Sequence, residues 1–449
     1  MKSVGSAPPT PNIGGLNKQF YNYLGAYILV ALSGCLGNVV DGIIVGNLIS
    51  ADGVSAINLS KPVNQFIFTL HLLINAGAGM LVAYALGRDN VADARRFFTR
   101  AFMLSLGLGV VLAIGGGLLF PLQTARLLCT DDHLLPLARQ YMQILLLGNP
   151  AFILMWGLST MVGVDGSPRL VSLAVVVDNA ANLFLDIVFI QWFGWGIAGS
   201  SAATIVGHLI GIAILLSHWR KPSRLKLDFS AGALAASWQR IVSQGAPLAV
   251  ASISLTLLLL SANRIVLSTL GQAGIFAFAV CMNLLQVYNL FLSGTCQTLQ
   301  SLGALQVGAG NVEGIRLVIR KAFRFITAAM ALTCLLVWLF PQTIAALFGA
   351  DNADYTSEAS HALRIFALSF VPFCYIYVLM IVYKLYHHHR MALFISFALS
   401  LTVIPVLWFM ARWRPEALWY SYLVAYIIEA LAIFILHRAT HVSFGSIKH

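Results

Sequence analysis

Charge is what this sequence has least of. Only 10% of its 449 residues are Asp, Glu, Lys or Arg, while 59% are hydrophobic. A soluble domain carries roughly 25% charged residues, and a soluble fold of this length could not bury so much apolar surface. Acid is scarcer than base, 16 residues against 27, giving a formal charge of +11. That excess does not indicate nucleic acid, because the basic residues sit mostly in short connections between apolar runs, where membrane topology accounts for them. Cysteines Cys35, Cys129, Cys281, Cys296, Cys334 and Cys374 are scattered, five of them within apolar runs. Neither a disulfide framework nor a metal cluster is expected from them. Residues 1–19 contain no short apolar core ending at a small-residue cleavage site, so a cleaved signal is not expected. A G-x-x-x-x-G-K-[ST] loop is missing, which argues against direct ATP coupling. His387, His388 and His389 point to different faces if helical, since only residues three or four apart share one. They read as a solvated loop rather than the metal site of a membrane enzyme, and no enzymatic activity is expected.

Long uncharged runs are abundant. About 20 apolar residues span a bilayer core, and from Ile241 through Asn263 there is no charge. Such runs predict an all-α polytopic membrane protein with helices near 22–49, 54–84, 99–121, 134–163, 168–191, 195–218, 243–269, 275–304, 322–347, 361–384, 391–411 and 417–437. With the N-terminus inside, about 20 of the basic residues fall on the cytoplasmic side. Among them are Arg88, Arg95, Arg96, Arg100, Arg220, Lys221, Arg316, Arg320 and Arg324. The opposite loops carry Asp131, Asp132, Asp351, Asp354 and Glu358. Both termini are therefore predicted to be cytoplasmic.

The halves are related. Residues 87–102 align without gaps on residues 308–323, with six of sixteen positions identical at an offset of 221. The register persists, to within one residue, through Phe120-Pro121 against Phe340-Pro341 and Pro150 against Pro372. An even number of spans separates the copies, which makes a parallel repeat about an axis along the membrane normal, a transporter architecture. The expected division is a tail at 1–19, an N-terminal lobe at 20–219, a linker at 220–242, a C-terminal lobe at 243–438 and a tail at 439–449.

Ionisable groups in a bilayer cost about 2.5–3.5 kcal/mol on insertion scales, and those that remain mark functional sites. Here they are Asp41, Asp178, Asp186, Arg264 and Glu429. Asp178, Asn182 and Asp186 are four residues apart and form one stripe along a helix. Asp41 and Asp186 fall at similar depth, and Asn38 lies one turn before Asp41. Carboxylate and amide oxygens gathered at one depth suit Na⁺; neighbouring buried carboxylates also raise one another's pKa and could take a proton. Arg264 is close enough to a helix end to snorkel, while Glu429 could line a second cavity or hydrogen-bond within the bundle.

The sequence resembles the multidrug and toxic compound extrusion (MATE) transporters from about Asn17 to His437. The likeness rests on Val40-Asp41-Gly-Ile-Ile-Val-Gly46, on residues 87–95, on Asn182-Leu-Phe-Leu-Asp186 and on residues 194–204 in that order. It is nearest to the DNA-damage-inducible F-like branch, whose N-lobe cation site corresponds to Asp41, Asn182, Asp186 and Thr204. The resemblance implies twelve spans in two six-helix lobes forming a V. It implies a monomeric antiporter of a bacterial inner membrane, exporting amphipathic, cationic compounds against Na⁺ or H⁺. Asn38, Asp178, Arg264 and Glu429 are further candidates for lining the cavity. Two departures are visible. Asn263-Arg264 stands where a related branch carries acid, and residues 20–49 have no proline, leaving Gly34 and Gly37 as the positions able to bend. The alternative is a flippase of lipid-linked sugars in the same superfamily, for which Arg264 and Lys384 are the relevant cations.

Overall fold

The computed structural model describes residues 13–49, 51–126, 133–228, 235–347 and 353–439. Cys129, Asp131, Asp132, Asp351 and residues 1–12 and 440–449 lie outside them, of Asp354 only the backbone is described, and residues 13–19, expected as tail, are helical. The first half contains α1 (Ile13–Leu48), α2 (Ala51–His71), α3 (Gly77–Gly87), α4 (Val91–Leu112), α5 (Pro121–Arg126), α6 (Leu135–Leu147), α7 (Asn149–Val164), α8 (Pro168–Ile187) and α9 (Ile197–Leu216). The second contains α10 (Ala235–Thr298), α11 (Ala304–Gly308), α12 (Val312–Leu339), α13 (Pro341–Leu347), α14 (Ala353–Leu385), α15 (His389–Leu401), α16 (Val403–Trp413) and α17 (Ser421–Ala439). Wide π-type turns at Leu72–Ala76 and Leu299–Gly303 carry α2 into α3 and α10 into α11 without a break.

Among the described residues, ten helical stretches are long and apolar enough to cross a membrane, and α6 with α7, bent by 48°, qualify together. That bend falls where Gly148 ends one helix and Pro150, which has no N–H to donate, opens the next. The longest stretch, Trp238–Gly308, has 71 residues. At 1.5 Å per residue it is about 105 Å long, more than twice a ~30 Å bilayer core. It turns at Gly271, whose φ of 63° is open to glycine because no Cβ obstructs it. Exposed Trp192, Leu260 and Ile435 present apolar surface outward, as a lipid-facing wall does.

The internal repeat is a repeat of backbone conformation. Asn90 and Asn311 occupy equivalent positions, and each side chain accepts a hydrogen bond from a backbone N–H three residues on, at Asp93 and Gly314. These are helix N-caps. The residue before each cap has positive φ, 58° at Asp89 and 67° at Gly310. Phe120 and Phe340 adopt nearly the same conformation, with φ −127° in both and ψ 42° and 43°, and a proline follows each. Gly166 and His387, again 221 apart, both have positive φ. Removing either cap by Asn90→Ala or Asn311→Ala is expected to cost about 1 kcal/mol. Thermal unfolding in detergent followed by circular dichroism measures this, and an unchanged midpoint would show that the caps are idle.

Several helices begin earlier than expected, and two of these differences have identifiable reasons. α12 begins at Val312 rather than near 322, because the Asn311 cap starts the helix and Arg316 and Arg320 ride on a turn outside the apolar run. α10 begins at Ala235, inside the stretch 220–242 read as a linker, because Ile241 is fully buried and helical pairing satisfies its backbone. The earlier part of that stretch is fastened to the first half. His218 and Ser223 both bond Asp165 Oδ2, at 2.8 and 2.5 Å, Arg95 Nε donates to the Arg224 carbonyl, and Leu225 is fully buried.

The halves meet along helices with small residues. A Cβ on Gly87 would overlap the Leu305 carbonyl, and one on Gly308 would overlap the Tyr84 carbonyl. Gly87 corresponds to Gly308 and Tyr84 to Leu305 in the repeat, so this crossing is self-complementary, as an isologous contact about a twofold axis must be. Gly77 and Gly245 make a second close crossing, where a Cβ on Gly245 would overlap the Leu73 carbonyl. Polar contacts pin the same interface. Tyr84 Oη donates to the Leu385 carbonyl at 2.9 Å, Gln65 Nε2 to Ser252 Oγ at 2.7 Å, and Tyr27 Oη pairs with Ser301 Oγ at 3.0 Å.

Candidate functional site

Helices α8 and α9 pack closely enough to bring polar side chains together because α9 carries glycine where α8 carries acid. A Cβ on Gly207 would stand 2.8 Å from Asp178 Oδ1, and one on Gly211 would stand 3.3 Å from Asp178 Cβ. On its other side α8 packs on α1. Asn179 Nδ2 donates to Ser33 Oγ at 2.9 Å, and Gly37 makes room for the Asn179 side chain. α1 is helical through Gly34 and Gly37 up to Leu48.

The stripe on α8 is thereby matched to one on α9. Asn182 Nδ2 donates to Thr204 Oγ1 at 3.2 Å, so these two candidates meet directly. One turn further along, Asp186 is fully buried. One turn back, both carboxyl oxygens of Asp178 bond His208 Nδ1, at 2.9 and 3.1 Å. Asn38 and Asp41 fall on α1, and their side chains lie outside what the structure describes. Asp178 is thus a member of a buried acid–imidazole pair, adjacent to the Asn182–Thr204 level.

His208 is the residue that sequence reasoning missed. Its signal was present: it lies four residues after Thr204 and so shares its face. Its ring is held at Nδ1 by Asp178, and Nε2 is buried with no hydrogen-bond partner among the described residues. The other candidates stand apart. Arg264 is exposed. Glu429 on α17 is buried, and its carboxyl oxygens have no hydrogen-bond partner among the described residues. Lys384 is fully buried and donates to Gln300 Oε1 at 3.2 Å.

No group of three or more His, Cys, Asp and Glu side chains is placed to hold a metal ion among the described residues. The donors at the Asp186 level are oxygens, the type a hard monovalent cation takes. The level below offers an imidazole, whose two ring nitrogens can between them accept and donate a proton. The paired helices can therefore carry positive charge in two forms, as a metal cation on oxygens or as a proton on carboxylate and imidazole.

The chain matches the MatE family over residues 27–188 and 247–409, one segment in each half. It is 22% identical over 350 residues to the "Probable multidrug resistance protein YoeA" of Bacillus subtilis (strain 168), covering 74% of this chain and 73% of that protein. It is 23% identical to the "FAD transporter" of Shewanella oneidensis, covering 75% and 74%. Its fold superimposes on the crystal structure of a mutant of the Vibrio cholerae MATE transporter VcmN with a TM-score of 0.88, at 19% identity and over 95% and 97% of the two chains. With both halves matched to the family pattern and the fold shared along nearly the whole chain, this protein belongs to the MATE family of membrane transporters.

Proposed function

We propose that the protein is an efflux antiporter of the bacterial inner membrane, with twelve spans and both termini cytoplasmic. It expels amphipathic cations in exchange for a coupling cation bound in its N-terminal half. The stack of buried Asp186 and Asp178 with half-buried Asn182–Thr204 and His208, on two facing helices, carries this reading. The resemblance adds Asp41, carried on α1, as a further oxygen donor.

Among coupling ions the proton is the better supported. A buried carboxylate hydrogen-bonded to an imidazole holds and passes a proton, whereas a Na⁺ site would leave His208 without a role. The mechanism follows from differential affinity: protonation favours the state that releases cargo, and cargo favours the deprotonated state, because each ligand shifts the equilibrium only through its preference for one conformation. Small amphipathic cations suit carboxylates held in surroundings of low dielectric, where opposite charges attract far more than in water.

Proteoliposomes loaded with tetraphenylphosphonium test the ion. An imposed pH gradient is expected to drive export, and a Na⁺ gradient at equal pH on both sides is expected to leave it at background. His208→Ala should slow proton-driven export about tenfold, within the range of measured coupling energies. Export driven by Na⁺ alone, with His208→Ala as fast as the parent, would assign the coupling to a metal cation.

A further inference from the structure

A cavity of about 450 Å³ opens at the end of the molecule where α3 and α10 meet, the proposed cytoplasmic end, and both halves line it. Arg88 follows α3 of the first half, and Arg240 lies early in α10 of the second. His387 and His389 reach it from the turn between α14 and α15. The histidine run expected to form a solvated loop thus sits at the junction of the halves, with the Tyr84 ring 4.7 Å from that of His387.

Its charge is unbalanced. Among the described residues Asp93 is the one acid on its wall, and it already bonds Arg96 at 3.2 Å and Asn90 at 2.9 Å. Neither the Arg88 nor the Arg240 side chain has an ion-pair or hydrogen-bond partner among the described residues. Further in, Gln244 is buried with its Nε2 3.5 Å from His387 Nδ1 and from His389 Nε2. Gln244 Oε1 and His389 Nδ1 are buried without hydrogen-bond partners among the described residues. Partial burial, aided by His389, Arg88 and His388, pushes the His387 pKa down to about 4, and the two guanidiniums supply the positive charge of the cavity.

Two planar guanidiniums with vacant donors, in one cavity with neutral N–H groups behind them, match the oxygens of a phosphate. The volume is in the range that holds a small ligand. We propose that this cavity binds a phosphate-bearing anion, bridged by Arg88 of one half and Arg240 of the other, and that the bound anion holds this end of the transporter closed. A ligand gripped by both halves has little affinity for a state in which they part, and it shifts the equilibrium by that difference. The site is independent of which ion drives transport.

The phosphate can belong to a free anion or to a lipid headgroup, and one experiment separates the two. The full-length protein in maltoside detergent, which carries no phosphate, is titrated with inorganic pyrophosphate at constant ionic strength while its thermal unfolding is followed. Saturable stabilisation is expected, with apparent affinity weakened about tenfold or more in Arg88→Gln and in Arg240→Gln, each removing a charge-assisted pair. Both side chains lie at the exposed rim, so the substitutions leave the core packing unchanged. In a second arm, phosphatidylglycerol replaces pyrophosphate in mixed micelles. Stabilisation in either arm that both variants lose supports the site and names its source. Absence of stabilisation in both arms, or stabilisation that the variants retain, overturns the proposal.

Discussion

Asp186→Asn is expected to abolish gradient-driven export while leaving the protein folded. The side chain is fully buried on α8, one turn from the Asn182–Thr204 pair. The amide keeps its volume and much of its hydrogen bonding but can neither carry a negative charge nor take up a proton. Coupling free energies between two ligands of one protein typically run at 1–3 kcal/mol, roughly 5–150-fold. Loss of the coupling ion should reduce transport by about the upper end of that range. Cargo affinity measured without any gradient should change much less, because the cation acts on the balance between states. The measurement is the initial rate of tetraphenylphosphonium export from proteoliposomes, alongside the unfolding midpoint in detergent. A variant with a normal midpoint and normal export would remove Asp186 from the mechanism.

The second large effect concerns the joint between the halves. Gly245→Val places a branched side chain where even a Cβ would overlap the Leu73 carbonyl. Overpacking of a tight contact costs about 1–3 kcal/mol. Within one lobe that cost would appear as lost stability. On the proposed alternating-access mechanism this contact joins halves that separate, so the strain is relieved by parting them, and about 1–3 kcal/mol moves a two-state equilibrium roughly 5–150-fold. Spin labels at the exposed positions Arg96 and Arg316 report the change. The distance distribution between them should gain a longer component in Gly245→Val, with a smaller gain in Gly245→Ala. Transport should fall with it, because a carrier confined to one state cannot cycle. An unaltered distribution in a folded Gly245→Val protein would show that the glycine crossing does not hold the closed state.

Much of the architecture was legible because it depends on local chemistry. The apolar runs mark helices wherever a bilayer demands internal hydrogen bonding, and the repeated asparagines mark helix starts because their side chains satisfy the first free N–H groups. Six identities in sixteen residues were enough to find the repeat. The structure shows why they persist: Gly87 and Gly308 must both be small where they cross, and Asn90 and Asn311 must both cap.

What escaped the sequence depends on which faces meet. Asp178 and His208 are 30 residues apart, and nothing in either helix alone says they form a pair; Gly207 and Gly211 set the approach that makes it possible. The histidines at 387–389 were read as a solvated loop because adjacent residues share no helix face, yet the fold turns His387 and His389 onto a cavity whose other wall comes from the opposite half. Gly37 offered a hinge by composition, but its missing side chain makes room for Asn179. In each case the residue type was informative and its partner was not.

The central claim is that cargo and proton compete through the carboxylates of the first half. It is tested most directly by adding tetraphenylphosphonium to the detergent-solubilised protein in weakly buffered solution and reading the proton released. The account predicts release from the parent protein and none from Asp186→Asn. Equal release from both, or cargo binding by the parent with no proton released at any pH near neutrality, would contradict it.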